Sequence, residues 1–572
     1  MAQSTTEADW LTRLADEVIE ESARRAPGQP VIVASGLSPS GPIHLGNLRE
    51  VMFPHLVADE IRRRGIDCVH ILSWDDFDRY RKVPEGYDPQ WQQHIGKPLT
   101  AVPAPAGSEY PNWAEHFKAP MAAALDRLGI LYRGISQTDM YTSGAYRDQI
   151  LLAMRERARI DAILGEYRTK GRKPVRQSAQ GTEEDSAAAD AAEGSGAAGE
   201  DDGSTATGYY PYKPYCPACG TDLTTVTGYD EATTALTYTC ACGHTQTVRL
   251  SEFNNGKLVW KVDWPMRWAY EGVVFEPSGV DHQSPGSSFV VGGRIVADIF
   301  GGQQPIGPMY AFVGISGMAK MSSSRGGVPT PADALEIMEE PVLRWLYARR
   351  KPQQSFTIAF DQEIQRLYDE WDALERRVAD GSASDAEVAA HGRAVRTAAG
   401  DLPRTPRPLP YRTLASVADI TTGDEEQILR ILSDLDPARP LRSLEEVRPR
   451  LDCAQHWVDT ELPADQRTRL RDQPDTAALE ALTEPQRQEL DLLLDGLEDH
   501  WSLDELSRLV YAVPKIRLGL PLDVKPTPEL KAAQRAFFAL VYRLLIGRDT
   551  GPRLPTLLLT AGPARVRKLL GG

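Results

Sequence analysis

The sequence predicts an α/β protein: a doubly wound parallel sheet, broken by a metal-bearing insertion and followed by an all-α C-terminal domain. Three observations predict it. A strand, glycine-rich turn, helix and second strand follow one another between Pro30 and Ser73. Four of the six cysteines crowd between Cys216 and Cys242. From about Phe356 onward the apolar pattern is almost wholly helical.

Taken in order, Trp10, Leu11, Leu14 and Val18 alternate with Asp16, Glu17, Glu20 and Glu21 as one amphipathic helix in residues 1–29. It lacks the basic start and apolar core of a secretion signal, so a cytoplasmic protein is expected. Residues 30–170 carry the first half of the sheet. Val-Ile-Val-Ala-Ser-Gly ends in small residues and runs into Leu-Ser-Pro-Ser-Gly-Pro, and the strand Cys68–Ser73 runs into Trp74-Asp75-Asp76-Phe77-Asp78-Arg79. Ligand-type residues thus collect at the carboxyl ends of both strands, where open α/β sheets have their crevice. Residues 171–208 are expected to be a disordered insert, because from Gln177 to Gly208 they are nearly all small or acidic, too poor in apolar surface to offset the entropy of ordering. A cysteine-bearing hairpin is expected at 209–250, the second half of the sheet at 251–315, a serine-rich loop with its following segment at 316–365 and a helical domain at 366–572.

Composition bounds the function. At 572 residues, 41% apolar and 25% charged, the chain has room for several cores and no apolar run long enough to span a bilayer. Its net charge of −16 argues against indiscriminate nucleic-acid binding. Basic clusters remain at Arg62 to Arg64, Arg168 to Arg176 and Arg349 to Lys351. Cys216-x-x-Cys219 and Cys240-x-Cys242-x-His244 offer five soft ligands, of which four would close one tetrahedral, structural Zn²⁺ site. The choice among Cys240, Cys242 and His244 stays open.

The segment Ser38-Pro39-Ser40-Gly41-Pro42-Ile43-His44-Leu45-Gly46-Asn47 sets an imidazole and a tight turn at a helix start, a geometry suited to phosphate. Gly317-Met-Ala-Lys320-Met321-Ser322-Ser323-Ser324-Arg325-Gly-Gly sets a lysine, three hydroxyls and an arginine in one loop, suited to a polyphosphate. Together they resemble the two ATP signatures of class I aminoacyl-tRNA synthetases, usually written His-Ile-Gly-His and Lys-Met-Ser-Lys-Ser. Asn47 replaces the second histidine, and Ser323 the second lysine. Trp74-Asp-Asp-Phe-Asp-Arg79, Lys261 to Trp268, Glu276-Pro-Ser-Gly-Val-Asp281-His282 and Asp549-Thr-Gly-Pro-Arg553-Leu554 narrow the resemblance to the class I lysyl-tRNA synthetases.

That resemblance implies a Rossmann-like catalytic domain and an α-helix cage that holds the anticodon. It implies ATP-dependent joining of L-lysine to tRNA(Lys) through lysyl-adenylate, with Mg²⁺ on the phosphates and AMP and pyrophosphate released, and no activation before tRNA is bound. ATP would meet Ser38 through Gly46 together with Lys320, Met321 and Ser323, and His44, Asn47, Lys320, Ser322, Ser323 and Ser324 would act on the reacting phosphate. The resemblance points to Gly36, Ser38, Trp260, His282 and Tyr310 as lysine-pocket residues. Asp75, Asp78 and Asp281 are candidates to pair with the two ammonium groups. Arg344, Arg349, Arg350, Lys351, Arg553, Arg565, Arg567 and Lys568 are candidate phosphate contacts, and a monomer is expected. The competing readings are a synthetase of the same class for another amino acid, a nucleotidylyltransferase acting on a small molecule, and a non-catalytic RNA-binding paralogue.

Overall fold

Alternating apolar strands feeding helices through Gly/Pro turns give the parallel α/β layer that the pattern demands. The computed structural model describes residues 9–170, 203–284, 286–316, 327–436, 438–497 and 501–572. Strands β1 (Val31–Leu37), β2 (Cys68–Trp74) and β3 (Arg133–Ser136) form a parallel sheet in the order β1-β2-β3. Val33 opens a parallel bridge to Phe275, and Phe275 another to Ile306. The sheet therefore reads β3-β2-β1, then the chain at 275, then the chain at 306, and its order reverses beside β1. That reversal point is where a doubly wound sheet offers its ligand crevice.

Helix α1 (Trp10–Arg25) is capped by Asp9, whose carboxylate accepts from Thr12 N and pairs with Arg393. Helix α2 (Leu48–Arg63) is buried along most of its length and lies against β1 and β2. Between β2 and β3 an aromatic subcore of Tyr80, Trp91, Trp113 and Phe117 surrounds the start of helix α3 (Trp113–Arg127).

The chain divides into two compact units. One holds residues up to 334 with 340–358 and 378–402; the other holds 335–339, 359–377 and 403–572. Helix Glu340–Ala348 is buried at every residue, and Arg344 donates to the carbonyls of Leu128 and Arg393, which knits both late segments into the first unit. Arg344 is thereby removed from the candidate phosphate contacts. The second unit is helical, with a leucine-rich core drawn from Leu490 to Leu570. Fully buried Arg450 pairs there with Glu339 at 2.7 Å and Asp372 at 2.8 Å.

Of the acidic insert, residues 171–202 lie outside the described residues. Its end is ordered: Ser204–Thr205 pairs with Gly208–Tyr209, and Tyr210 N donates to Gly203 O at 2.8 Å. The expected disorder does not hold at residues 203–208, where the strand pair is carried by Tyr209, buried in the neighbouring aromatic core.

Candidate functional site

The turn after β1 is held from three directions. Trp113 Nε1 donates to Ser40 O at 2.9 Å, Leu45 N donates to Pro329 O at 2.8 Å, and Tyr347 Oη donates to Leu45 O at 3.4 Å. His44 precedes a single 3₁₀ turn, Leu45–Asn47, which leads directly into α2. Burial lowers the His44 pKa to about 4, so the imidazole is neutral at pH 7, and its Nδ1 is buried without a hydrogen-bond partner. Lys320, Met321, Ser322, Ser323, Ser324 and Arg325 lie outside the described residues. Their flanks do not: the Leu45 bond to Pro329 fixes the exit of that segment against the first motif.

Across the crevice, Ser278–Gly279 pairs in parallel with Met309–Tyr310, bringing Asp281, His282 and Tyr310 to neighbouring strand ends. Gly36 and Ser38 stand at the end of β1. A Cβ at Gly36 would meet nothing nearer than 3.8 Å, so packing does not require glycine there and the small residue keeps the crevice open. Asp281 Oδ1 and His282 Nδ1 are buried and unpartnered. Trp260 stacks on Trp264 at 5.2 Å, and His282 meets the edge of Trp264 at 5.5 Å.

Two of the candidate ammonium partners carry ion pairs within the chain. Asp75 pairs with Arg267 at 2.6 Å, and Asp78 pairs with Lys257. Arg267 also grips Asp263, and it lies 5.7 Å from the centre of the Trp260 ring. Burial works against ionisation of Asp78, but the charges of Lys257 and Arg81 outweigh it and hold its pKa below the ordinary value. Asp75 and Asp78 thus belong to an internal ion network with Arg267, Lys257 and Asp263, while burial still raises the Asp75 pKa to about 6.

The carboxylate that sequence reasoning missed is Glu50, in the first turn of α2. Burial raises its pKa to about 7; the Asn47 side chain, donating at 3.1 Å, opposes the rise, and the charges of Asp281, Asp75 and Glu276 add to it. Glu276, bonded by Trp268 Nε1 at 2.5 Å, is likewise pushed up to about 7 by burial. Tyr310 is held well above its usual pKa by burial and by the charges of Glu50 and Asp281, so its hydroxyl keeps its proton. The available signal was an acid directly before a helical run, Val51 to Val57, that is apolar except for His55. The arrangement is a group of neighbouring carboxylates whose ionisation burial and mutual repulsion oppose, a strain that a cation would relieve.

The four Sγ atoms of Cys216, Cys219, Cys240 and Cys242 lie within 4.8 Å of one another. Cys216 and Cys242 are 3.8 Å apart, and Cys219 and Cys240 3.6 Å. Sulfurs about 2.3 Å from one tetrahedral centre stand about 3.8 Å apart, so the set fits Zn²⁺. His244 is outside it, 3.4 Å from Gln246, because its backbone closes the turn by accepting from Cys240 N. Gly220 and Gly243 follow the two cysteine pairs at φ +75° and +88°, a backbone conformation only glycine adopts without strain. The knuckle is bolted to the sheet domain by Tyr215 Oη donating to Phe77 O at 2.7 Å and Asp222 N donating to Gly96 O at 2.8 Å.

A family model described as tRNA synthetases class I (K) matches residues 8–401. The chain is 69% identical to a lysine–tRNA ligase of Streptomyces coelicolor, over 100% of this chain and 99% of the relative. It is 32% identical to one from Treponema pallidum, over 98% of each. One from Pyrococcus horikoshii is 30% identical over 98% of this chain and 99% of the relative. With a neutral histidine turn beside a switch-point crevice, a four-cysteine knuckle and this similarity along its whole length, the chain belongs to the class I lysyl-tRNA synthetases, the class I (K) family of tRNA synthetases.

Proposed function

We propose that the protein joins L-lysine to tRNA(Lys) in two steps, with lysyl-adenylate between them. The observation that supports this most directly is the cluster of Glu50, Asp281 and Glu276 with Tyr310 at the crevice. Lysine carries two ammonium groups; glutamate would bring a second carboxylate into a pocket that already suppresses the ionisation of its own. Glu50 ionises when the substrate cation arrives, and Tyr310 donates or accepts at its rim. The indole face of Trp260 lines the aliphatic stem, with His282 and Asp281 beside the α-amino and carboxyl end.

The substrate carboxylate attacks the α-phosphorus of ATP, and pyrophosphate leaves. Little covalent work falls to the protein, so catalysis rests on positioning and on donors aimed at developing charge. Neutral His44 donates a hydrogen bond without repelling or being repelled by the phosphates' counter-ions. Lys320 and the Ser322–Ser324 hydroxyls grip the departing pyrophosphate, and Mg²⁺ travels with the nucleotide. The terminal adenosine hydroxyl of the tRNA then attacks the activated carbonyl and releases AMP. The knuckle cysteines hold Zn²⁺ for shape, since four protein ligands leave no open position.

The deciding experiment is charging of unfractionated tRNA with each labelled amino acid. Lysine alone is expected to be incorporated. Incorporation of glutamate or arginine in its place would transfer the chain to another specificity, and no charging at all would overturn the reading.

A further inference from the structure

The polypeptide between Tyr310 and Val313 joins two pairs of strands. Met309–Tyr310 runs beside Ser278–Gly279 and brings Tyr310 to Asp281 and His282. Val313–Ile315 runs beside Phe356–Ile358 and lies against the turn Leu45–Asn47. At the joint sits Arg49, on α2 between Leu48 and Glu50 and only 4% exposed. Its Nη1 donates to Ala311 O at 2.8 Å and Gln354 O at 3.0 Å, and its Nη2 to Pro352 O at 2.8 Å and Lys351 O at 3.1 Å. Pro352 O also accepts from Ala311 N at 2.9 Å, so the two gripped segments are bound to each other as well. The guanidinium lies 5.4 Å from the centre of the Phe356 ring.

All four N–H groups of the two terminal nitrogens thus point at carbonyls, and no carboxylate pairs with Arg49 among the described residues. A fork occupied in this way has no terminal donor left for a substrate phosphate, so its action is on the backbone. What it joins must be aligned. The head of α2, with His44 and Asn47 before it, and the strand end at Tyr310 meet through a bond spanning 262 positions, Arg49 to Ala311. Attack of a carboxylate on phosphorus needs the reacting atoms roughly 3–3.5 Å apart and in line. We infer that Arg49 is a positioning residue for the activation step: by fixing Ala311 to α2 it sets the distance between the half-site for ATP and the half-site for lysine. The inference rests on the proposed two-step reaction and adds to it a residue that need touch neither substrate.

A variant of such a residue should bind each substrate and misalign the pair. Arg49→Lys and Arg49→Gln are compared with the full-length wild type in lysine-dependent ATP–pyrophosphate exchange with tRNA present, well below each melting temperature and with rates expressed per folded chain. The turnover number should fall by roughly thirty- to a hundredfold while the KM values for ATP and for lysine stay within about threefold. A non-hydrolysable sulfamoyl analogue of lysyl-adenylate, which spans both half-sites, should bind at least about tenfold more weakly, although lysine and ATP each bind as in the wild type. Arg49→Lys keeps the charge and loses the fork, so it should recover little of the loss. A lowered melting temperature with turnover and analogue affinity unchanged would make Arg49 a brace for stability alone and overturn the inference. Wild-type turnover in Arg49→Lys would overturn it too, because charge and not span would then be what matters. So would a rise in one KM alone, which would assign Arg49 to a single half-site. Failure of the wild type to exchange with lysine would refute the proposed reaction and this inference with it, whereas an active wild type matched by both variants would refute the inference alone.

Discussion

Glu50 places two demands on one side chain. Its carboxyl sits near pH 7 instead of its ordinary 4.5 because burial disfavours the ionised form. The sign follows: its contribution to stability is whole below about 4.5 and is lost as pH rises through 7. Glu50→Gln should therefore melt higher than the wild type at pH 8, with the difference shrinking toward pH 5, as calorimetry at the two values will show. The same change should raise the KM for lysine by roughly thirtyfold or more, the cost of removing one partner of a buried ion pair. In the wild type, kcat/KM for lysine should climb through pH 7 and level off. His44, already neutral above about 4, should add no inflection between pH 6 and 8. Lys320→Ala should slow lysine-dependent ATP–pyrophosphate exchange by about a hundred- to a thousandfold, the scale of one lost transition-state donor, with circular dichroism unchanged.

At the scale of elements, the phosphate turn is shaped by neighbours as much as by its own residues. Trp113, at the head of α3, holds Ser40 O with a single indole N–H. Trp113→Phe keeps most of the apolar bulk and deletes that donor, so the KM for ATP should rise about three- to tenfold with the KM for lysine unchanged, a split that general loosening would not produce. The knuckle makes a second test. Zinc analysis of purified protein should give one metal per chain, His244→Ala should keep it, and Cys242→Ser should lose it together with several degrees of melting temperature. Metal retained by Cys242→Ser and lost by His244→Ala would reverse the ligand assignment.

For the whole molecule, what the sequence disclosed is what short-range pattern can carry. The β1-turn-α2 unit announced itself through β-branched residues, Gly-Pro punctuation and helical spacing within some thirty residues. The cysteine pairs did so through spacing, although two adjacent Cys and a His cannot be ranked until the turn closes. Partnerships of charge were hidden because they are remote. Asp75 meets Arg267 across 192 positions, and Asp78 meets Lys257 across 179. Arg344 stands five residues before the basic run Arg349 to Lys351, yet it is wholly buried on the carbonyls of Leu128 and Arg393 and on His55, while Lys351 is exposed. No local rule separates an arginine that braces backbone from one that waits for phosphate. Arg450 illustrates the same limit within the helical unit; Arg450→Met should lower the urea midpoint by an amount equivalent to about 3–5 kcal/mol, since Glu339 and Asp372 would be left without their counter-charge.

The chain passes between its two compact units five times, at 334, 339, 358, 377 and 402. No single scission can therefore release a self-sufficient amino-terminal half. A fragment ending at 366 would forfeit Arg393, and with it the counter-charge of Asp9 at the head of α1 and the carbonyl that steadies Arg344. Any attempt to express a minimal activating fragment must carry the polypeptide at least to Leu402, and will bring along 359–377, a stretch cut off from the rest of its own core.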